Sequence, residues 1–214
     1  GFWAERWKLC RREMLPSVER ALLDTANSEQ LINLKIAAGL APGEFRGTDW
    51  SDGDCYKWLE ALALMFATTR DPELDRKLDE WIAIIARAQA SDGYLSTNMT
   101  LRQRPRYVGP PRRYGGTFHE MYNMGHLLTA ACTHHQATGK DNFLRIARKM
   151  GDHLHRVFQP GAPELAVTSG NLPVIMGLID LYRTTGERRY LETAQAIVDA
   201  RGAAPGGSDL TQDH

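Results

Sequence analysis

No apolar run in the 214 residues approaches the roughly 20 needed to cross a bilayer, so nothing marks a membrane span. Charge of one sign is not in excess either. Lys plus Arg number 26 and Asp plus Glu number 26, which removes the overall field that would draw in nucleic acid or an anionic membrane surface. Cysteine is scarce: Cys10, Cys55 and Cys132 lie far apart and form no CxxC pair, so each reads as a small structural hydrophobe. There is no GxSxG elbow, P-loop or GxGxxG, which leaves hydrolase-elbow and nucleotide readings without support. No stretch alternates with the period-two, β-branched pattern of a strand. The first residues lack the apolar core of a signal peptide and read like the interior of a domain. An export signal ahead of Gly1 stays compatible with that, and the compartment is open between cytoplasm and periplasm or exterior.

What is present is helical grammar, in a chain whose 43% hydrophobic content suffices for one core. Trp3, Trp7, Cys10, Met14, Val18 and Leu22 recur at three or four residues and form one stripe, with Pro16 expected to break or kink it. A glycine-containing polar stretch follows, and then residues 54–69 turn strongly helical. Arg70-Asp71-Pro72 supplies a stop, an N-cap and a proline at the first helical position before a second periodic segment ending near Gln89. The same grammar returns over 119–138 with its partner around 143–154, and over 172–185 with its partner around 190–197; Gly139 and Gly186 are the stops.

Three hairpins joined by short turns at one end and long polar loops at the other are what an α-toroid or solenoid produces. The loops expected to carry function are 38–53, 91–117, 160–170 and 202 onward, all at one end. The turns are unequally spaced, which argues against a non-catalytic helical-repeat binding scaffold, the reading from another functional class.

His119, Tyr122, Asn123 and His126 follow i, i+3, i+4, i+7 and share a helical face that could hydrogen-bond a sugar. The plainer alternative makes His126 a core histidine and turns Asn123 to water. His119-Glu120 is not a zincin, because position 123 is Asn where the second histidine would stand. Trp50-Ser51-Asp52-Gly53-Asp54 places two carboxylates and a ring at a helix start, suited to gripping a sugar, although helix capping accounts for one aspartate. Five arginines between Arg102 and Tyr114 read as a solvated lid, or as contacts to an anionic sugar or a neighbouring subunit. His134, His135, His153 and His155 read as structural residues on outer helical surfaces.

Four stretches in order along the chain resemble one family. They are Asp52-Gly53-Asp54-Cys55-Tyr56-Lys57-Trp58-Leu59-Glu60-Ala61, then Arg87-Ala88-Gln89 running into Asp92-Gly93-Tyr94-Leu95-Ser96-Thr97. His119-Glu120-Met121-Tyr122 with its following turn is the third; Leu181 to Leu191 with Gln212-Asp213-His214 is the fourth. Together they are similar to glycoside hydrolase family 127, the β-L-arabinofuranosidase-like enzymes. The resemblance implies that residues 1–214 are a single partial catalytic domain, the first half to two-thirds of an all-α (α/α)6 toroid. It implies retaining removal of terminal L-arabinofuranosyl or related residues by a zinc-bound cysteine nucleophile and a glutamate acid/base. In the family those groups and the zinc ligands follow the point where this chain ends, so neither catalytic nor metal-ligating residues are expected here.

The resemblance carries over part of a sugar-binding wall, His119 and His214; with the residues read above, the expected substrate contacts are Asp52, Asp54, His119, Tyr122, Asn171 and His214. Two positions depart from the family: Asn171 stands where a histidine is frequent, and Val18 where some members have glutamine. Either change alters hydrogen bonds to substrate hydroxyls, each worth about 1 kcal/mol net, so the sugar itself stays open. A toroid isomerase, lyase or unsaturated-uronyl hydrolase is the alternative chemistry on the same fold. A homodimer, if formed, would use regions outside this chain.

Overall fold

The computed structural model describes residues 1–24, 26, 29–102, 119–167 and 173–200, and every described element is helical. The first helix is α1 (Phe2–Leu9), continuing through a π-helical turn, Cys10–Met14, into α2 (Leu15–Leu23). Of the break or kink expected at Pro16, the chain shows two α-helical segments joined by a π-helical turn and no loss of helical backbone. Proline lacks the N–H that would reach back one turn, and the widened π turn just before it absorbs that loss while the backbone stays right-handed. The apolar stripe of this helix is mostly open: Trp3 is 80% exposed, and of the six residues of the stripe only Leu22 is buried.

A short helix that the periodicity did not disclose, α3 (Gln30–Ala37), packs on α2 and on the two helices that follow. Its buried Asn33 accepts from the backbone N–H of Arg46 (3.1 Å) and donates to the Arg46 carbonyl (2.6 Å), which ties down the loop leading to the next helix.

Three hairpins then follow as expected. The first pairs α4 (Ser51–Thr69) with α5 (Pro72–Ala88), and Arg70 turns left-handed between them at φ 52°. The Asp71 carboxylate caps α5, accepting from the Glu73 N–H at 3.0 Å. A one-turn helix, α6 (Thr97–Leu101), sits in the long loop and is capped by Ser96. The second hairpin pairs α7 (Glu120–Thr138) with α8 (Asn142–Val157), closed by Gly139 at φ 74°. The third pairs α9 (Pro173–Thr185) with α10 (Arg188–Asp199).

Helices α2, α4, α7 and α9 lie side by side as an inner wall, and α3, α5, α8 and α10 pack behind them. The register shows the inner helices to be parallel. Gly53 at the start of α4 lies against Tyr122 and Asn123 at the start of α7, and Gly125 lies against Pro173 at the start of α9. This is an arc of an (α/α) toroid with its loop-bearing mouth at the N-terminal ends of the inner helices. Further along the wall, Thr133 donates to Glu60 and Thr129 donates to Asp180, both at 3.0 Å, so neighbouring inner helices are also stitched by side-chain hydrogen bonds.

The two layers share one core, in which Tyr56, Leu59, Leu62, Leu127, Leu128, Phe143 and Tyr190 are almost wholly buried. Two histidines expected on outer surfaces are inside it: His134 is 0% and His153 7% exposed. The ring of His134 meets Phe143 edge-on, and neither nitrogen has a hydrogen-bond partner among the described residues. Burial pushes its pKa down to about 4, with the charges of Asp79, Lys140, Asp75 and His135 nearby. The folded chain therefore holds it neutral, while the unfolded chain protonates it below about pH 6.5. Stability from this group is complete above that pH and drains away as pH falls toward 4, by about 2 kcal/mol at pH 5. The variant His134→Leu, which needs no proton and leaves no orphaned nitrogen, is expected to melt at or above the native temperature at pH 7.5 and clearly above it at pH 5. A pH series of thermal melts in which both proteins lose stability in parallel toward pH 5 would contradict this assignment.

Candidate functional site at the mouth of the inner wall

The site forms where the starts of α4 and α7 meet. Asn123, one turn into α7, is buried; its Oδ1 accepts from the Gly53 N–H and its Nδ2 donates to the Asp49 carbonyl, both at 2.9 Å. Asn123 thus neither faces water nor reaches toward a ligand. It gives a second acceptor to the Gly53 N–H in the first turn of α4, which also reaches the Trp50 carbonyl at 3.0 Å. A Cβ at Gly53 would come within 2.8 Å of this carboxamide and 2.9 Å of the Tyr122 ring, so the close junction requires glycine.

Asp52 is likewise turned inward. Its carboxylate accepts from the Thr97 N–H (2.8 Å) and the Thr97 hydroxyl (2.5 Å). At 2% exposure its burial raises its pKa in spite of those bonds. The aspartate expected to grip sugar instead clamps the α6 loop onto α4. The carboxamide of Asn98 adds a second clamp, donating to Asp49 at 2.6 Å.

Asp54, His119 and Tyr122 do meet. The Lys57 ammonium bonds the Asp54 carboxylate at 3.1 Å and donates to the Tyr122 hydroxyl, 4.6 Å from the centre of the Tyr122 ring. Tyr122 stands edge-on to His126 (4.6 Å between ring centres) and to His119 (5.8 Å), and His119 in turn stands edge-on to Trp50 (5.2 Å). A continuous polar and aromatic ridge thus runs from Asp54 to Trp50. Burial of Lys57 would lower its pKa, but the bonds to Tyr122 and Asp54 outweigh it and the ammonium is held charged. Burial, aided by that ammonium, lowers His126 to about 4, which keeps its imidazole neutral.

His119 has a left-handed backbone, φ 51°, as the residue preceding α7. For a side chain with a Cβ this conformation costs about 1–2 kcal/mol, and it is found where the surroundings over-determine it. Its Nδ1 is buried and lacks a protein partner among the described residues.

Beside the ridge, α2 and α4 enclose a groove of ≈ 600 Å³. Leu15, Val18, Leu22 and Trp58 make its apolar wall, and Asp54, Lys57 and Gln30 its polar edge. Val18, singled out for lacking a polar group, is therefore on the same surface as Asp54. Lys57 is the member of this ridge that sequence reasoning passed over. Its signal was the i, i+3 spacing from Asp54, which puts ammonium and carboxylate on one face of α4.

Asn171 and His214 lie outside the described residues, as do 103–118, which hold four of the five arginines of the arginine-rich segment. The fifth, Arg102, stacks over Phe45 at 4.5 Å and reaches Asp49. Cys55 and Cys132 are buried, and burial pushes the Cys55 thiol well up and that of Cys132 to about 11, so neither is poised as a thiolate. Among the described residues no group of three His, Cys, Asp or Glu side chains is arranged to hold a metal ion.

These features have counterparts in known proteins. The chain is 40% identical over 188 residues to a non-reducing end β-L-arabinofuranosidase of Bifidobacterium longum subsp. longum, covering 86% of this chain and 28% of that protein. A crystal structure of a GH127 β-L-arabinofuranosidase from Geobacillus stearothermophilus T6 superposes with a TM-score of 0.87 at 36% identity. It covers 96% of this chain and 32% of the solved one. A further GH127 β-arabinofuranosidase superposes with a TM-score of 0.79 at 30% identity, over 95% of this chain and 32% of that one. The chain thus spans about a third or less of the length of these relatives. The family described as the β-L-arabinofuranosidase GH127 catalytic domain matches residues 1–214 without remainder. Together with the arc of paired helices and the ridge at its mouth, this makes the chain a member of the GH127 catalytic-domain family.

Proposed function

We propose that this chain forms part of the sugar-binding wall of a β-L-arabinofuranosidase and that the longer protein removes terminal L-arabinofuranosyl residues from glycans. The observation that carries the reading is the unbroken ridge from Asp54 through Lys57 and Tyr122 to His119, set beside the Val18 groove at the toroid mouth. A furanose has an apolar C–H face and a rim of hydroxyls. The wall of Leu15, Val18, Leu22 and Trp58 suits the first, and the ridge suits the second.

Within this division of labour the residues present bind and orient. Asp54 is a fixed acceptor for hydroxyl protons, Lys57 a fixed donor, and neutral His126 supports the Tyr122 ring. Among the described residues no group of His, Cys, Asp or Glu side chains is arranged to hold zinc, and this reading assigns the zinc-bound cysteine and the acid/base glutamate to the rest of the longer protein. The full-length protein is expected to release the chromophore from an aryl β-L-arabinofuranoside and to leave the α-L-arabinofuranoside intact. Equal turnover of both anomers, or of neither alongside a measurable lyase or isomerase activity, would overturn the assignment.

A further inference from the structure

Two polar residues buried behind the ridge have no part in that reading: Glu120, 6% exposed, and Tyr94, 1% exposed, whose hydroxyl donates to the Glu120 carboxylate. Glu120 immediately follows His119 and opens α7. An acidic residue in the first turn of a helix is favoured by the helix dipole, but that preference is met equally well by a solvated carboxylate. It does not account for a carboxylate turned into the interior against a phenol. Burial opposes ionisation there and pushes Glu120 up to about 7, so packing alone would favour an apolar side chain.

Tyr94 is itself a fixed post. Its N–H donates to Asp92 at 3.1 Å, its carbonyl accepts from the Ala90 N–H at 2.9 Å, and its ring stands edge-on to His153 with 5.5 Å between centres. One turn further on, the Asn123 N–H holds the His119 carbonyl at 2.8 Å, and the Asn123 side chain is locked to α4. His119 is therefore followed by two buried anchors, at the next residue and one turn on. Its ring stands between Trp50 and Tyr122.

We propose that the Tyr94–Glu120 contact is a positioning device that holds His119 in its left-handed turn, so that the imidazole is presented on the sugar-binding ridge. The part concerning sugar rests on the reading of His119 as a sugar contact. The part concerning geometry does not.

The test uses the full-length protein and four variants: Glu120→Ala, Glu120→Gln, Tyr94→Phe and His119→Ala. On an aryl β-L-arabinofuranoside, His119→Ala is expected to lower kcat/KM about 100-fold and Glu120→Ala about 30-fold. Glu120→Gln, which keeps an acceptor for the phenol, stays within about threefold of the native value. The double variant of Glu120→Ala with His119→Ala is expected to be no worse than His119→Ala alone, because one acts through the other. Crystal structures of Glu120→Ala and of Tyr94→Phe, which keeps the buried ring, are expected to show His119 relaxed out of the left-handed region, and that of Glu120→Gln to retain it.

Losses that multiply in the double variant, or a His119 that keeps its φ in both relaxed variants, would overturn the positioning role. Native activity in His119→Ala would instead remove His119 from the sugar-binding reading, leaving the crystal structures to decide the geometry.

Discussion

Gly125→Val is expected to leave little or no folded protein. Where α7 crosses α9, a Cβ on Gly125 would fall on the carbonyl carbon of Pro173 and the backbone nitrogen of Val174. These are backbone atoms at the start of a helix, and they cannot rotate away. The contact is reciprocal, since a Cβ on Gly177 would lie 2.5 Å from the Gly125 carbonyl oxygen and 2.8 Å from the Leu128 Cβ. Two glycines facing one another thus let the inner helices approach at backbone distance. Opening the contact would part the helices along Val174, Leu128 and Leu178, all fully buried. Ordinary overpacking costs about 1–3 kcal/mol when side chains can shift. Here whole helices must move, and the cost is expected at or above the top of that range, against a total stability of about 5–15 kcal/mol. Soluble yield and thermal melting check this, with Gly139→Ala as a comparison. Gly139 has open space around its Cβ position and carries only the strain of its φ of 74°, so a loss of about 1 kcal/mol is expected there. A Gly125→Val protein that is soluble and melts within a few degrees of native would mean that the two inner helices do not meet as described.

The contrast between these glycines also marks what sequence patterning can and cannot disclose. Gly139 was legible as a helix stop because capping is local: a left-handed residue after an apolar period needs no knowledge of the rest of the chain. The Arg70-Asp71-Pro72 turn was legible for the same reason, and the three hairpins follow from such stops together with the 3.6-residue period. Gly125 sits mid-helix, and its requirement comes from a residue 48 positions away. Asn123 and Asp52 were misread on the same account. Both are polar and near the mouth, but their partners are Gly53, Asp49 and Thr97, brought close only by folding. The buried His134 is a comparable case, since a histidine in a helix shows no local sign of which face it takes. Helix α3 escaped notice because, within eight residues, Gln30, Asn33 and Lys35 interrupt the apolar positions, while Leu31 and Leu34 bury completely. Of the proposed site, His119 and Tyr122 were legible from helical spacing, His119 from the family resemblance as well, and Asp54 from the paired carboxylates at a helix start. The cation that joins them was not.

That cation gives a site variant whose expected effect is large and whose sign can be worked out. Lys57→Met keeps the length of the stem along the groove and removes the ammonium, so Asp54 and Tyr122 each lose the partner that fixes them. A charge-assisted hydrogen bond is worth about 1.5–3 kcal/mol. At 1.36 kcal/mol per decade, kcat/KM on the aryl glycoside is expected to fall about 10- to 100-fold in the full-length protein. The variant carries a second signature whose sign is fixed. His126 is held at about 4 by burial first and by the Lys57 charge second, with Asp54 pulling the other way. Deleting the ammonium leaves Asp54 unopposed, so the His126 pKa must rise toward its ordinary value. Below that raised pKa the imidazole becomes an imidazolium against the edge of Tyr122, and the acid limb of the pH–rate profile is expected to move to higher pH. Lys57→Arg, which keeps the charge, should leave the limb in place even if the altered geometry costs rate. A Lys57→Met enzyme with an unmoved acid limb and kcat/KM within threefold of native would show that Lys57 does not organise the ridge, and with it would go the case for Asp54 as a sugar contact.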